Sequence, residues 1–153
     1  MALFIDTFVN RIDRKGRVSV PATFRAVLTG QSFHGIVAFP AFRYPALQCA
    51  GMDFMEKLNA GVNTIDLFSS AHDDLSVMLF ADAKQLPFDG EGRVVLPAKL
   101  IEHARLGDLA AFVGRGQAFE IWRPEDLETA KAAARQRALD KGLTVPAIGE
   151  GRK

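Results

Sequence analysis

One stretch of this chain occurs twice, and that duplication restricts the fold more than any other feature. "DRKGRVSVPA" (13–22) and "DGEGRVVLPA" (89–98) lie 76 positions apart and share Asp13/Asp89, Gly16/Gly92, Arg17/Arg93, Val18/Val94, Pro21/Pro97 and Ala22/Ala98. The shared residues are of different types in fixed order, which biased composition does not produce. Phe24/Leu100 continues the match in kind. Further on the offset falls to 72, with "LQCAGMDFMEKL" against "FEIWRPEDLETA". The first half thus holds four extra residues, placed most simply in the loop "PAFRYP". We read an internal duplication with copies of about 70–80 residues. Halves of that size bury too little surface to be stable alone. They are expected to pair about a pseudo-twofold axis, share one core and project the two turns as symmetry mates.

The local patterns give each copy the same order of elements. "FVNRI" reads as a strand, "DRKG" as a turn and "RVSV" as the return strand, with Val18 and Val20 on one face and Ser19 on the other. Pro21 opens a helix to about Leu28, since its missing N–H costs nothing in the first turn. Gly30 ends that helix. "GIVAF" and "ALQCA" are strands, and "DFMEKL" starts a helix with Asp53 as its cap. In the second copy "KQLPF", "DGEG", "RVVL", a helix from Pro97 to about Ala104, "LAAFVG" and "AFEIW" follow in turn. A long helix starts at Pro124, with Glu125 and Asp126 in its first turn, Lys141 in its last and Gly142 as its stop. The boundaries read as a first module over 1–62, a helical linker over 63–82, a second module over 83–141 and a mobile tail over 142–153. The fold class is α+β: two swapped-hairpin β modules forming a shared barrel-like core, flanked by helices.

Charge is distributed unevenly. The chain of 153 residues carries a net charge of +1, yet residues 1–44 hold six basic and two acidic side chains, and residues 45–82 hold one basic and six acidic. A locally basic end suits an anionic partner. Twelve Phe against one Trp and one Tyr assign most aromatic area to burial. Cys49 is the single cysteine, so no intrachain disulfide forms; its setting in "PALQCA" marks a small buried hydrophobe. No leader pattern opens the sequence, and no run approaches the ~20 apolar residues of a membrane span. A cytoplasmic, nucleoid-associated protein without membrane contact is the expectation.

The chemistry concentrates in the two turns. Gly16 and Gly92 permit a positive φ. Asp13 and Asp89 stand four residues before Arg17 and Arg93, where they can accept backbone N–H groups and orient the guanidinium. A fixed Arg can make two parallel hydrogen bonds to guanine O6 and N7, worth ~1–3 kcal/mol of discrimination. Arg14 and Lys15 suit phosphates, which set position rather than sequence choice. The second turn, with Gly90 and Glu91 between Asp89 and Arg93, is less basic. A D-x-x-G turn with a solvated tip is common, but a solvated tip has no need of the same Arg twice.

These twin D-x-x-G-R turns with "P-A" at fixed spacing, the stretch "LFADAKQLPFDGEGRVVLPAKL" and the strand–Trp–helix "FEIWRPEDL" resemble the MraZ family over roughly residues 1–140. That resemblance implies tandem AbrB-type swapped-hairpin modules, a ring-like homo-oligomer and binding of repeated double-stranded operator boxes ahead of division and cell-wall genes, with repression as the direction by analogy. It implies DNA contact through Arg14, Lys15, Gly16, Arg17 and Arg93, shaped by Asp13, Asp89 and Gly92. One protomer brings only about four loop cations, so tight binding requires linked subunits.

Enzymatic chemistry has little support. His34, His72 and His103 stand in unrelated contexts. His72 beside Asp73 and Asp74 is a weak metal candidate against a solvated helix face. Ser69 and Ser70 lack a base, and "GEGR" lacks the ending of a phosphate loop. No cofactor, metal or small-molecule substrate is expected. "FPAFRYPAL" around Arg43 is a stacking platform for bases or, in preference, a packed loop or subunit contact. The alternative function is an antitoxin-like or structural protein-interaction module of the same fold.

Overall fold

The computed structural model describes residues 2–146. In chain order these form β1 (Thr7–Arg11), β2 (Arg17–Ser19), α1 (Ala22–Val27), β3 (Gly35–Pro40), β4 (Ala46–Ala50), α2 (Met52–Val62), α3 (Ser70–Ser76), a π-helical turn (Val77–Ala81), β5 (Lys84–Pro87), β6 (Arg93–Val95), α4 (Ala98–His103), β7 (Leu109–Gly114), β8 (Phe119–Trp122) and α5 (Pro124–Asp140). The tail expected from residue 142 lies, from 147 on, outside the described residues.

Every ladder is antiparallel. A six-stranded sheet runs β1-β7-β8-β4-β3-β5, and β2 pairs with β6 in a separate ribbon. Exchanging each strand for its counterpart in the other half reverses the sheet order, so the row is palindromic. The approximate dyad passes through two cross-strand pairs, Gln48 opposite Glu120 and Val18 opposite Val94. Both pairs join residues equivalent under the sequence offsets, 72 and 76 respectively.

Three local expectations change. First, β1 and β2 do not form a ladder with each other. The turn closes through Asp13 N–H to Arg17 O (3.0 Å), but β1 pairs with β7 and β2 with β6, both from the other half. Burial favours this: a strand paired only with its own hairpin partner leaves the core-facing Val18 and Val20 without a second layer. Second, the large sheet has edges at β1 and β5 and is not closed into a barrel. The strands next along the chain, β2 and β6, leave the sheet to pair with each other. Third, the extra residues of the first half are split. Ile36 faces Leu86 as Ala110 faces Asn10, an offset of 74 for β3 and β7, between the 76 of β2 and β6 and the 72 of β4 and β8. Two residues therefore lie between α1 and β3, and only two in the Ala41–Pro45 loop.

The core sits between the ribbon, the sheet and the short helices. Phe24 of α1 is its centre, with ring centroids 5.2 Å from Phe4, 5.6 Å from Phe8 and 5.0 Å from Phe119 in edge or tilted contacts. Val18, Val20, Val94, Leu96 and Leu100 close the same cluster, so both halves contribute to it. Cys49 is buried in it on β4, and burial pushes its thiol pKa well up. Pro21 and Pro97 occupy the cap positions just before α1 and α4.

A smaller cluster surrounds the other end of the dyad. The Glu120 carboxylate, 3% exposed, accepts from Tyr44 Oη, Trp122 Nε1 (2.9 Å) and Arg115 Nη1 (2.8 Å), and Tyr44 stacks on Trp122. The "FPAFRYPAL" loop is thus tied down by Tyr44, while Arg43 stays exposed. The cap of α2 is Gly51 rather than Asp53. Asp53 lies two residues further on, within the first turn, where the Gln31 side chain accepts from its N–H (2.9 Å) and donates to its carboxylate (3.1 Å).

Candidate nucleic-acid interface

The two turns repeat the same hydrogen bonds at equivalent atoms. In the first, Asp13 Oδ1 accepts from Lys15 N–H and Arg17 N–H, both at 2.9 Å, and Oδ2 accepts from Arg17 Nε at 2.6 Å. In the second, Asp89 Oδ1 accepts from Glu91 N–H (2.8 Å) and Arg93 N–H (2.9 Å), and Oδ2 from Arg93 Nε (2.9 Å). Gly16 and Gly92 hold φ of 83° and 76°, a region costly for residues with a Cβ. Each turn is also locked to the opposite strand: Leu96 N–H donates to Gly16 O (2.8 Å), and Val20 N–H to Gly92 O (3.1 Å).

These bonds shift the carboxylates. The Arg17 backbone N–H, with further help from the Arg17 side chain and Lys15 N–H, holds the Asp13 carboxyl below its usual range. Asp89 is lowered in the same way, first by Arg93 N–H. The bond from Asp89 in turn raises the Arg93 guanidinium. At neutral pH both turns carry an ionised acceptor locking an ionised Arg.

The ribbon fixes where those arginines point. The bonds at Gly16/Leu96 and Gly92/Val20 make Val18/Val94 a hydrogen-bonded pair and leave Arg17/Val95 and Ser19/Arg93 as the close, non-hydrogen-bonded pairs. Val18 and Val94 face the core at 1% exposure. By alternation Arg17, Ser19, Arg93 and Val95 share the outer face. Two residues along the strand and one strand across set the two Arg Cα atoms roughly 8 Å apart. Each guanidinium uses Nε on its Asp. Among the described residues Arg17 has no further partner, and the only other one for Arg93 is a loose 3.8 Å contact with Glu91. Arg14 and Lys15 are exposed at the first tip, as Gly90 and Glu91 are at the second.

The structure adds a cation that the sequence reading did not place. Arg25 of α1 donates from Nε to Val20 O (3.0 Å), and its guanidinium lies against Gly92, within 2.8 Å of where a Cβ would stand. Its counterpart at offset 76 is Ile101, which lies near Gly16. The signal was available: one extension of the alignment sets Arg against Ile beside two turns of unequal charge. Of the other candidates, Ser69 caps α3 by accepting from His72 N–H, and the His72 ring touches Asn63 Oδ1 at 3.2 Å. His34 meets Phe88 edge-on, and His103 ends α4.

Comparison with known proteins settles the relationship. Residues 79–142 match the family described as "MraZ protein, putative antitoxin-like". Across the whole chain, the protein named "Transcriptional regulator MraZ" of Rickettsia bellii (strain OSU 85-389) is 44% identical over 146 residues, covering 95% of this chain and 97% of that one. The chain belongs to the MraZ family. Proteins of the same name from Rickettsia africae (strain ESF-5) and Rickettsia canadensis (strain McKiel) are 43% and 41% identical over 145 residues, again covering 95% of this chain and 97% of theirs. The relationship takes in both turns of this MraZ family member, not only the second half that the family match covers.

Proposed function

We propose that the protein is a sequence-specific DNA-binding transcriptional regulator that lays the outer face of the β2–β6 ribbon, with its two flanking turns, into the major groove. The observation that carries this reading is the pair of guanidiniums clamped through Nε on one exposed ribbon face. Clamping leaves Nη donors for a base edge and reduces the entropy lost on docking. A two-stranded ribbon fits the ~12 Å wide major groove, and an ~8 Å spacing spans about two base steps. Arg17 and Arg93 read guanine in this proposal. Arg14 and Lys15 bind phosphate at the first turn, and Arg25 supplies the phosphate contact that Gly90 and Glu91 do not. The relatives' shared name, transcriptional regulator, supports the biological role.

A ring-like homo-oligomer on repeated operator boxes completes the proposal, with repression of division and cell-wall genes as its direction by family analogy. Few cations per protomer make multivalent engagement the source of affinity. The test is a titration of wild type, Arg17→Ala, Arg93→Ala and Lys15→Ala against a duplex selected from a randomised pool, at two salt concentrations. Arg17→Ala should lose sequence preference, and Lys15→Ala should weaken all sequences evenly and flatten the salt dependence. Binding by Arg17→Ala and Arg93→Ala indistinguishable from wild type rejects the proposal. The family's antitoxin-like character favours one second reading, an antitoxin-like module; its sign is a dedicated toxin recovered with the chain while no duplex is bound at low salt.

A further inference from the structure

Val95 breaks the pattern of the face it lies on. Its neighbours there are Arg17, Ser19 and Arg93, yet Val95 is apolar and 53% exposed. The core gains nothing from it, since the inward position of the same strand is Val94, at 1% exposure. Its dyad counterpart is Ser19, so the fold tolerates a small polar residue at the equivalent point of the same ribbon. The close pairs are therefore unlike: Arg17 stands beside an apolar surface, and Arg93 beside a hydroxyl. Strand propensity alone would account for a β-branched residue here, but it predicts no dependence on what the ribbon touches.

The major-groove edge of a base pair offers one apolar group, the C5-methyl of thymine. We propose that Val95 is a specificity residue that packs against a thymine methyl next to the base reached by Arg17. Cross-strand neighbours in a non-hydrogen-bonded pair sit roughly 4.5–5.5 Å apart at Cβ, which sets the methyl within one or two base steps of that base. Ser19 makes no such contact beside Arg93, so the two ends of the pseudo-symmetric ribbon demand different bases. This inference rests on the DNA-binding reading above and assigns the chemistry of one contact within it.

The decisive experiment alters the DNA and leaves the protein intact. A duplex selected by the wild-type chain is remade with uracil in place of each thymine in turn, which removes the methyl and nothing else. One position per box should weaken wild-type binding about fourfold, the value expected for a single buried methyl group. Val95→Ser should bind the thymine and uracil duplexes equally, and Ser19→Val should acquire a second methyl-sensitive position. If every uracil duplex binds wild type as tightly as its thymine parent while Arg17→Ala abolishes sequence preference, the Val95 assignment falls and the DNA-binding reading survives. If Arg17→Ala and Arg93→Ala also bind as wild type does, both fall.

Discussion

The Asp13–Arg17 and Asp89–Arg93 loops share a frame and differ in surface. The aspartate accepts the same backbone and guanidinium donors in each, and glycine takes the same left-handed turn. The hydrogen-bonded frame and the arginine it clamps are the same in both loops; the tip residues between them have diverged. The first tip carries Arg14 and Lys15, the second Gly90 and Glu91, with Arg25 at its base where the first has Ile101. Backbone bonding tolerates little change because each bond serves a buried or closing contact. Tip side chains answer only to whatever docks on them.

The largest expected effect tests whether the two loops stand on one core. Phe24→Ala removes the ring that Phe4, Phe8 and Phe119 surround and should cost about 3–5 kcal/mol; Leu100→Ala, its counterpart, should cost about 2–5 kcal/mol. Chemical denaturation followed by a reporter in each loop should show a single coincident transition in both variants. Two separate transitions would make the halves independent units.

Glycine substitution probes the frames unequally. A Cβ on Gly16 would meet the Leu96 carbonyl at 2.8 Å, an atom fixed in the ribbon. One on Gly92 would first meet the Arg25 guanidinium, at 2.7 Å, the far end of a side chain that can move. Both variants carry the positive-φ penalty of about 1–2 kcal/mol. Gly16→Ala should therefore lower the melting temperature more than Gly92→Ala, and the reverse order would contradict the packing described.

Moving the first surface onto the second frame should act on binding rather than stability. Gly90→Arg with Glu91→Lys should tighten binding to every duplex and steepen the salt dependence by about 0.9 for each phosphate gained. Arg25→Gln should do the opposite, and titrations at several salt concentrations read both. A null result in both variants would confine phosphate contact to the first tip.

The smallest effect concerns protons. Because Asp13 and Asp89 are lowered in the folded state, the loops are at full stability above the usual carboxylate range and lose it as pH falls through the two lowered values. Carbon-detected NMR of the carboxyls should give both midpoints below that of a free aspartate. Either midpoint at or above the free value would mean that the clamp is absent in solution.

Much of this was legible in the sequence because it depended on repetition and on local chemistry. Glycine, aspartate and arginine at fixed spacing dictate the turn, and Val18/Ser19/Val20 dictates which ribbon face is buried. Partner choice was not legible: no local signal says that β2 meets β6 rather than β1, because alternation marks a face without naming the strand beside it. The open sheet and the divided insertion follow from that same long-range pairing. Asp53 failed as a cap because Gln31, 22 residues away, supplies the bonds instead. Arg25 lies beyond the repeated motif, and Val95 lies within it at a position where the two copies differ, so repetition marks neither; each matters through what it touches across the dyad.

A residue on the axis of a two-chain assembly always confronts its own copy. Glutamate at such a position would set carboxylate against carboxylate in a nearly dry setting, a strongly repulsive arrangement. Here the axis carries Glu120 on one strand and Gln48 on the other, and Tyr44, Trp122 and Arg115 gather round the lone anion. Fusing two halves into one polypeptide makes that inequality possible, and the same freedom lets one projecting tip change its chemistry without obliging the other to follow.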